Sequence, residues 1–189
     1  MRLHSMHIHI LFPAFLGLAL LAAATPATVY IIRHGEKPQN KHDHGLNLDG
    51  IKRSLCLREI FGDLSDYHIG HIMAPAVKRN GQHRRAYMTV LPLANDLGLE
   101  VDAHCSRKDT KCVAKTIRDY KGPGNILIAW RHSNMKGILE RLGALGTISY
   151  PEDRFDLIWR IPYPYHEVTN VTSEYCPGLD SHPSLVIQH

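Results

Sequence analysis

The hydrophobic positions of this 189-residue chain change period several times along its length. Residues 27–35, reading ATVYIIRHG, form an apolar run of β-branched and aromatic residues that ends on two cations and a glycine. That is the pattern of a buried strand. From Leu46 the period lengthens: Leu48, Ile51, Leu55, Leu57 and Ile60 recur near helical spacing, and Gly62 supplies a stop. Residues 68–75 are short and apolar, bounded by Pro75, and predict a second strand. Residues 84–102 predict a helix followed by a strand near Leu99–Val101; Pro92 should kink that helix or lie in its first turns. Another helix is expected over 109–122. The stretch 122–132, GPGNILIAWRH, is built like the first strand and also ends in Arg-His. Residues 133–143 open on Ser133 as a capping residue and close on Gly143, which predicts a helix. A last strand is expected within 154–163, and after Tyr165 the chain is polar and proline-containing, with no element predicted.

Strands alternating with helices predict an α/β domain, a three-layer α/β/α sandwich with a mainly parallel central sheet covered on both faces. Such sheets bind ligands beyond the carboxyl ends of their strands. Both Arg-His pairs, Arg33-His34 and Arg131-His132, fall at those ends. The chain has no internal repeat and no low-complexity segment, so one domain over 25–189 is expected.

Charge changes the picture only slightly. Lys and Arg number 22 against 18 Asp and Glu, a formal net charge of +4. That excess calls for no nucleic-acid partner and suits an anionic small-molecule substrate. Residues 1–24 carry a single formal charge, Arg2, then an apolar run ending in Ala22-Ala23-Ala24. This is the pattern of a secretory signal peptide, implying an extracellular protein with no membrane association after cleavage. Cys56, Cys105, Cys112 and Cys176 are then expected to form two disulfides, with three pairings possible. Cys105 and Cys112 bracket a short polar loop and make the obvious local pair, leaving Cys56 with Cys176. Zinc-type ligand spacing is lacking, so no metal or other cofactor is expected. Asn170-Val171-Thr172 is a glycosylation acceptor.

The chemistry-bearing residues resemble those of the histidine phosphatase superfamily, the phosphoglycerate mutase-like proteins. Arg33-His34-Gly35-Glu36 followed by Asn40 is similar to that family's R-H-G-E-x-x-x-N. The stretch GLNLDGIKRS is similar to the start of its following helix, and Arg85-Ala86 with Thr89 resembles its R-A-x-x-T element. The segments CLREIFGDLSDYHIGHIMAP, YPEDRFDLIW and SEYCPGLD resemble a small secreted branch common in fungi. The resemblance spans the mature chain and implies a phosphohistidine mechanism on a small phosphorylated substrate. His34 would be the nucleophile, and Arg33 and Arg85 would grip the phosphoryl oxygens as permanently charged forks. His132 would donate to the phosphate in the transition state. Asn40 would supply a neutral donor, with Glu36 beside it as a substrate-binding residue. Arg84, one position from Arg85, is the rival for the middle arginine.

Phosphoryl transfer develops charge on equatorial oxygens, so arginines can perform the neutralisation that magnesium performs in kinases. The general acid is harder to find. Ser133 stands after His132, where some relatives carry Asp. Glu100, Asp102 and Asp109 are the carboxylates after the middle arginine, and Asp109 is taken as the candidate acid. Arg131, if on an extended strand, should point opposite to His132. Residues 78–84 resemble an insertion that could reshape access to the site. Two functions follow: a secreted, metal-independent phosphatase that hydrolyses phosphomonoesters, or a weak or inactive relative that binds anions outside the cell.

Overall fold

Residues 25–180, apart from positions 145 and 147, are described by a computed structural model; the leader expected at 1–24 lies outside them. The apolar run of 27–35 becomes β1 (Val29–Arg33), buried at all five positions. Period-two alternation, with both faces covered, explains why its first four residues are all apolar. Val29 and Ile31 enter one apolar cluster with Ile117, Met135 and Ile138, while Tyr30 and Ile32 enter a second with Leu57, Phe61, Val90 and Leu93. β4 (Asn125–Trp130) divides in the same way, Ile126, Ile128 and Trp130 facing the first cluster and Leu127 and Ala129 the second.

Six strands form one sheet in the order β3-β2-β4-β1-β5-β6. β2 (Ile69–Met73), β3 (Val101–Asp102), β4 and β1 run parallel, and β5 (Leu157–Ile161) and β6 (Asn170–Ser173) add an antiparallel edge. Helices α1 (Leu48–Phe61) and α2 (Arg84–Asp96) pack on one face, α3 (Thr110–Asp119) and α4 (His132–Leu142) on the other. This is the expected three-layer α/β/α arrangement. Among the described residues no helix is long and apolar enough to cross a membrane.

Several local expectations are corrected. Helix α1 forms where predicted but buries another face: Leu48, Ile51 and Leu55 are 62%, 47% and 48% exposed. Leu57 is buried as expected, but its buried companions are Gly50, Arg53, Ser54 and Phe61, because the sheet-facing side must admit the β1 turn and an ion cluster. Helix α4 starts at His132, so Arg131 rather than Ser133 is its N-cap, with no side-chain cap bond. The polar tail supplies β6, whose short Asn-Val-Thr-Ser run has two exposed and two half-buried positions and pairs with β5 at the sheet edge. Asn170, the glycosylation acceptor, opens this edge strand and is exposed. Pro92 lies well inside α2 rather than in its first turn.

Both expected cysteine pairs occur, Cys56 with Cys176 and Cys105 with Cys112.

Candidate functional site

β1 and β4 are hydrogen-bonded neighbours in register, Arg33 opposite Trp130, so the residues after each strand emerge side by side. His34 follows β1 and His132 opens α4. Both line a single cavity of about 390 Å³, together with Arg33 and Arg85. Four residues far apart in the sequence are thereby brought to one space. Of the expected core set, Asp109, Asn40 and Glu36 are not.

His34 is 8% exposed and held from two sides. Its backbone N–H donates to the Trp130 carbonyl at 3.0 Å. Its Nδ1 lies 2.8 Å from the Gly35 carbonyl oxygen, which can only accept, so Nδ1 carries the proton and Nε2 keeps its lone pair. Burial lowers the imidazole pKa from 6.5 to about 4, and Arg33, Arg85 and His132 push the same way. The ring is therefore neutral at physiological pH, with a fixed tautomer. Gly35 is required by close approach: a Cβ there would sit 3.1 Å from the Cα and carbonyl oxygen of Gly50. A Cβ on Gly50 would in turn sit 2.5 Å from the Glu36 carbonyl. The turn after β1 thus rests directly on the first turn of α1, where Asn47 caps Gly50 N–H at 2.9 Å.

Thr89 explains the R-A-x-x-T spacing. It is fully buried one helical turn after Arg85, accepts from Gly35 N–H and donates to the Arg85 carbonyl, both at 2.8 Å. One hydroxyl therefore ties the His34 turn to the helix that carries Arg85. The Arg85 guanidinium is aimed by Nε donating to Gly45 O at 3.0 Å and by Nη2 donating to Asp43 O. Arg84 instead leans on the Asp43 carboxylate at 3.6 Å and does not line the cavity, so the structure favours Arg85.

Arg33 has a double position. Its Nη1 donates to the carbonyls of Glu152 at 2.7 Å and Arg154 at 2.6 Å, and its guanidinium carbon lies 3.8 Å from the Phe155 ring centroid. It therefore anchors the 151–155 loop and is also one of the residues that line the cavity. His132 is half-buried, and its pKa is lowered by burial, then by Arg33 and Arg131. Its buried Nδ1 has no partner among the described residues.

The carboxylates lie elsewhere. Asp109 is the N-cap of α3, accepting from Cys112 N–H at 2.9 Å, and borders a different hollow. A capping carboxylate is committed to orphan helix N–H groups, which is why it turns from the site. Asp102 is engaged by His71 and His104, and Glu100 does not line the cavity. Among the described residues no Asp or Glu lines it. Asn40 is exposed, its Oδ1 accepting from His42 N–H in a local turn. Glu36 faces Arg53, whose Nη2 donates to it at 2.7 Å, on the far side of the turn.

Arg53 also holds Glu174 at 2.6 Å and Asp180 at 2.8 Å. Three carboxylates around one guanidinium leave an excess of buried negative charge, and Glu174, fully buried, has its pKa raised from 4.5 to about 8 by desolvation. A raised folded-state pKa means stability present below pH 4.5 and lost as pH rises through 8. The melting temperature should accordingly fall between pH 7 and pH 9, above the range in which the lowered His34 pKa makes stability rise with pH, and Glu174→Gln should flatten that dependence. A wild-type profile that is flat or rising over this window contradicts the account.

Sequence reasoning missed most of the cationic wall. Lys37, Lys41 and His44 reach the cavity from the β1–α1 loop. Lys78, Gln82 and His83 reach it from the β2–α2 loop, which fits the suspected insertion. Arg107 lines it from the β3–α3 loop. Arg131 points in, because it is a helix N-cap beyond the end of β4 and strand alternation does not govern it. The clustering of Lys and Arg in the four βα loops was the available signal. The His44 side chain is half-buried there. Among the described residues two His/Cys/carboxylate clusters have metal-like spacing, but their cysteines are those of the two disulfides, so they offer no thiolate.

No protein-family model matches the sequence, and no curated protein sequence matches it. Solved structures do. The protein histidine phosphatase SixA complexed with tungstate superposes with a TM-score of 0.56 at 15% identity, covering 78% of this chain and 97% of that one. Phosphoserine phosphatase from Entamoeba histolytica, in complex with 3-phosphoglyceric acid, gives 0.50 at 15%, covering 78% and 97%. A mycobacterial glucosyl-3-phosphoglycerate phosphatase gives 0.50 at 14%, covering 78% and 96%. The chain has the phosphoglycerate mutase-like fold of the histidine phosphatases.

Proposed function

We propose that this protein is a secreted phosphatase that hydrolyses phosphoryl compounds through a phosphohistidine on His34. The observation that carries the reading is a buried, neutral imidazole with its Nδ1 proton engaged, set in a cavity walled by arginines. Nε2 attacks phosphorus, and Arg33, Arg85 and His132 meet the charge developing on the equatorial oxygens. α2 and α4, whose first turns contribute Arg85 and His132, have no side-chain caps and add the positive ends of their dipoles. The structural neighbours named for phosphatase activity support this reading.

The test is phosphate release from p-nitrophenyl phosphate by the disulfide-intact protein. Because the His34 pKa is lowered, the nucleophile becomes protonated only as pH falls through about 4. The acid limb of kcat/KM is therefore expected near pH 4, and a limb at 6.5 or above contradicts the assignment.

A second reading has its own observation. The lack of a carboxylate in the lining, among the described residues, suits a protein that binds anions without turning them over. Tight vanadate or phosphate binding with no phosphate release from any donor favours it.

A further inference from the structure

Two features of the cavity are more than a phosphomonoesterase needs, or less. The excess is charge. A phosphomonoester carries about −1.5 to −2 at neutral pH, which two arginines match. Beyond Arg33 and Arg85, five further permanent cations line the same space: Lys37, Lys41, Lys78, Arg107 and Arg131. They come from all four βα loops of the parallel strands, so they encircle the mouth rather than cluster on one wall. Their mutual repulsion is already visible in the neighbours they affect: Arg131 helps lower the pKa of Arg85, Arg107 and His132. Such a wall is complementary to a ligand bearing several negative charges along its length.

The deficit is the acid. Expelling an alkoxide from phosphorus requires a proton donor, and its loss costs roughly 10²–10⁴ in rate. No Asp or Glu among the described residues lines the cavity. Glu152 is near enough for its field to reach His132, yet its side chain lies outside the lining. A leaving group that departs as a stable anion removes the requirement. A phosphate oxygen, whose second ionisation lies at about 6, is such a group.

Resting on the phosphatase reading, we infer that the substrate class is the linear phosphoanhydride, a bare polyphosphate chain. Three linked phosphates carry about four to five negative charges, up to two on each end and one in the middle. No Phe, Tyr or Trp lines the cavity among the described residues, so it offers a nucleobase no large apolar ring to stack on, only imidazoles and guanidinium planes. The 390 Å³ volume is that of a small-molecule site, larger than one phosphate occupies.

The step balances without a further reactant. His34 Nε2 forms a bond to the terminal phosphorus while the anhydride P–O bond breaks, and its electron pair stays on the departing shorter chain. Water then attacks the phosphohistidine. The P–N pair returns to Nε2, and both of the water's protons leave on the orthophosphate, released as its dihydrogen anion.

The experiment compares phosphate release by the full secreted chain, disulfides intact, from inorganic tripolyphosphate, a nucleoside triphosphate, p-nitrophenyl phosphate and glycerol phosphate. Tripolyphosphate is expected to exceed glycerol phosphate in kcat/KM by at least about 100-fold, the smaller end of a general acid's contribution. The nucleoside triphosphate should be no better than tripolyphosphate. Arg107→Gln with Lys78→Gln should raise KM for tripolyphosphate about tenfold or more, the worth of one lost charged hydrogen bond. Turnover of p-nitrophenyl phosphate with tripolyphosphate no faster than glycerol phosphate overturns the inference and leaves the phosphatase standing. A nucleoside triphosphate preferred by more than about tenfold, one such contact's worth, overturns the bare chain as the ligand. No release from any of the four, by protein that still shows its folded circular dichroism, overturns the phosphatase reading and this inference with it.

Discussion

His34→Ala is expected to lower phosphate release by roughly 10⁴–10⁶-fold, the range seen when a covalent nucleophile is removed. The size follows from what the side chain contributes. In the proposed reaction the imidazole is the attacking group, and its competence depends on three features of its surroundings. Burial and nearby cations keep it neutral, the Gly35 carbonyl holds the proton on Nδ1, and Thr89 fixes the turn against α2. Alanine keeps the His34 backbone bond to Trp130, so the fold should persist and the melting temperature should move little. His132→Ala should cost less, about 10²–10³, as for one lost oxyanion donor. Steady-state phosphate release with thermal melts of both variants measures this, and a His34→Ala enzyme within tenfold of wild type contradicts the assignment.

The second large effect concerns stability. Arg53→Met is expected to destabilise the protein by about 3–5 kcal/mol, because it strands buried carboxylates without their counter-ion. Arg53 is 2% exposed and satisfies Glu36, Glu174 and Asp180 together. These residues join the turn after β1, helix α1 and the segment that follows β6, where the Cys56–Cys176 pair also ties α1 to the C-terminal region. Methionine keeps most of the volume and removes the charge, so the loss reports electrostatics rather than a cavity. For a domain of this size the melting temperature should drop by about 10 °C. Adding Glu174→Gln should restore part of the loss. A single variant within about 1 kcal/mol of wild type in urea denaturation would show the cluster to be energetically idle.

Much of the fold was legible because its strands are buried on both faces. β1 and β4 read as unbroken apolar runs, and their Arg-His endings marked the sheet's ligand-binding edge. Helix positions were readable from spacing, yet the buried face of α1 was not. Its interior carries Gly50 and Arg53, which hydropathy scores as surface, while Ile51 and Leu55 face solvent. β6 was invisible because an edge strand half exposed to water needs no apolar alternation.

The convergence of His34, Arg33 and His132 on one cavity was legible, because β1 and β4 are neighbours whose ends emerge side by side. The site was not legible where loops decide. Glu36 belongs to the same motif as His34 but is claimed by Arg53, and Asp109 is claimed by the α3 N-terminus. Arg131 turned inward because β4 ends one residue earlier than alternation assumed.

The most direct test of a phosphohistidine on His34 is a rapid alkaline quench during turnover, with phosphoryl-labelled substrate and peptide mapping of the trapped protein. The account predicts label on His34 at Nε2, appearing before free phosphate and absent from His34→Ala. Phosphate released by active enzyme with no label on His34, or with label on another residue, contradicts it.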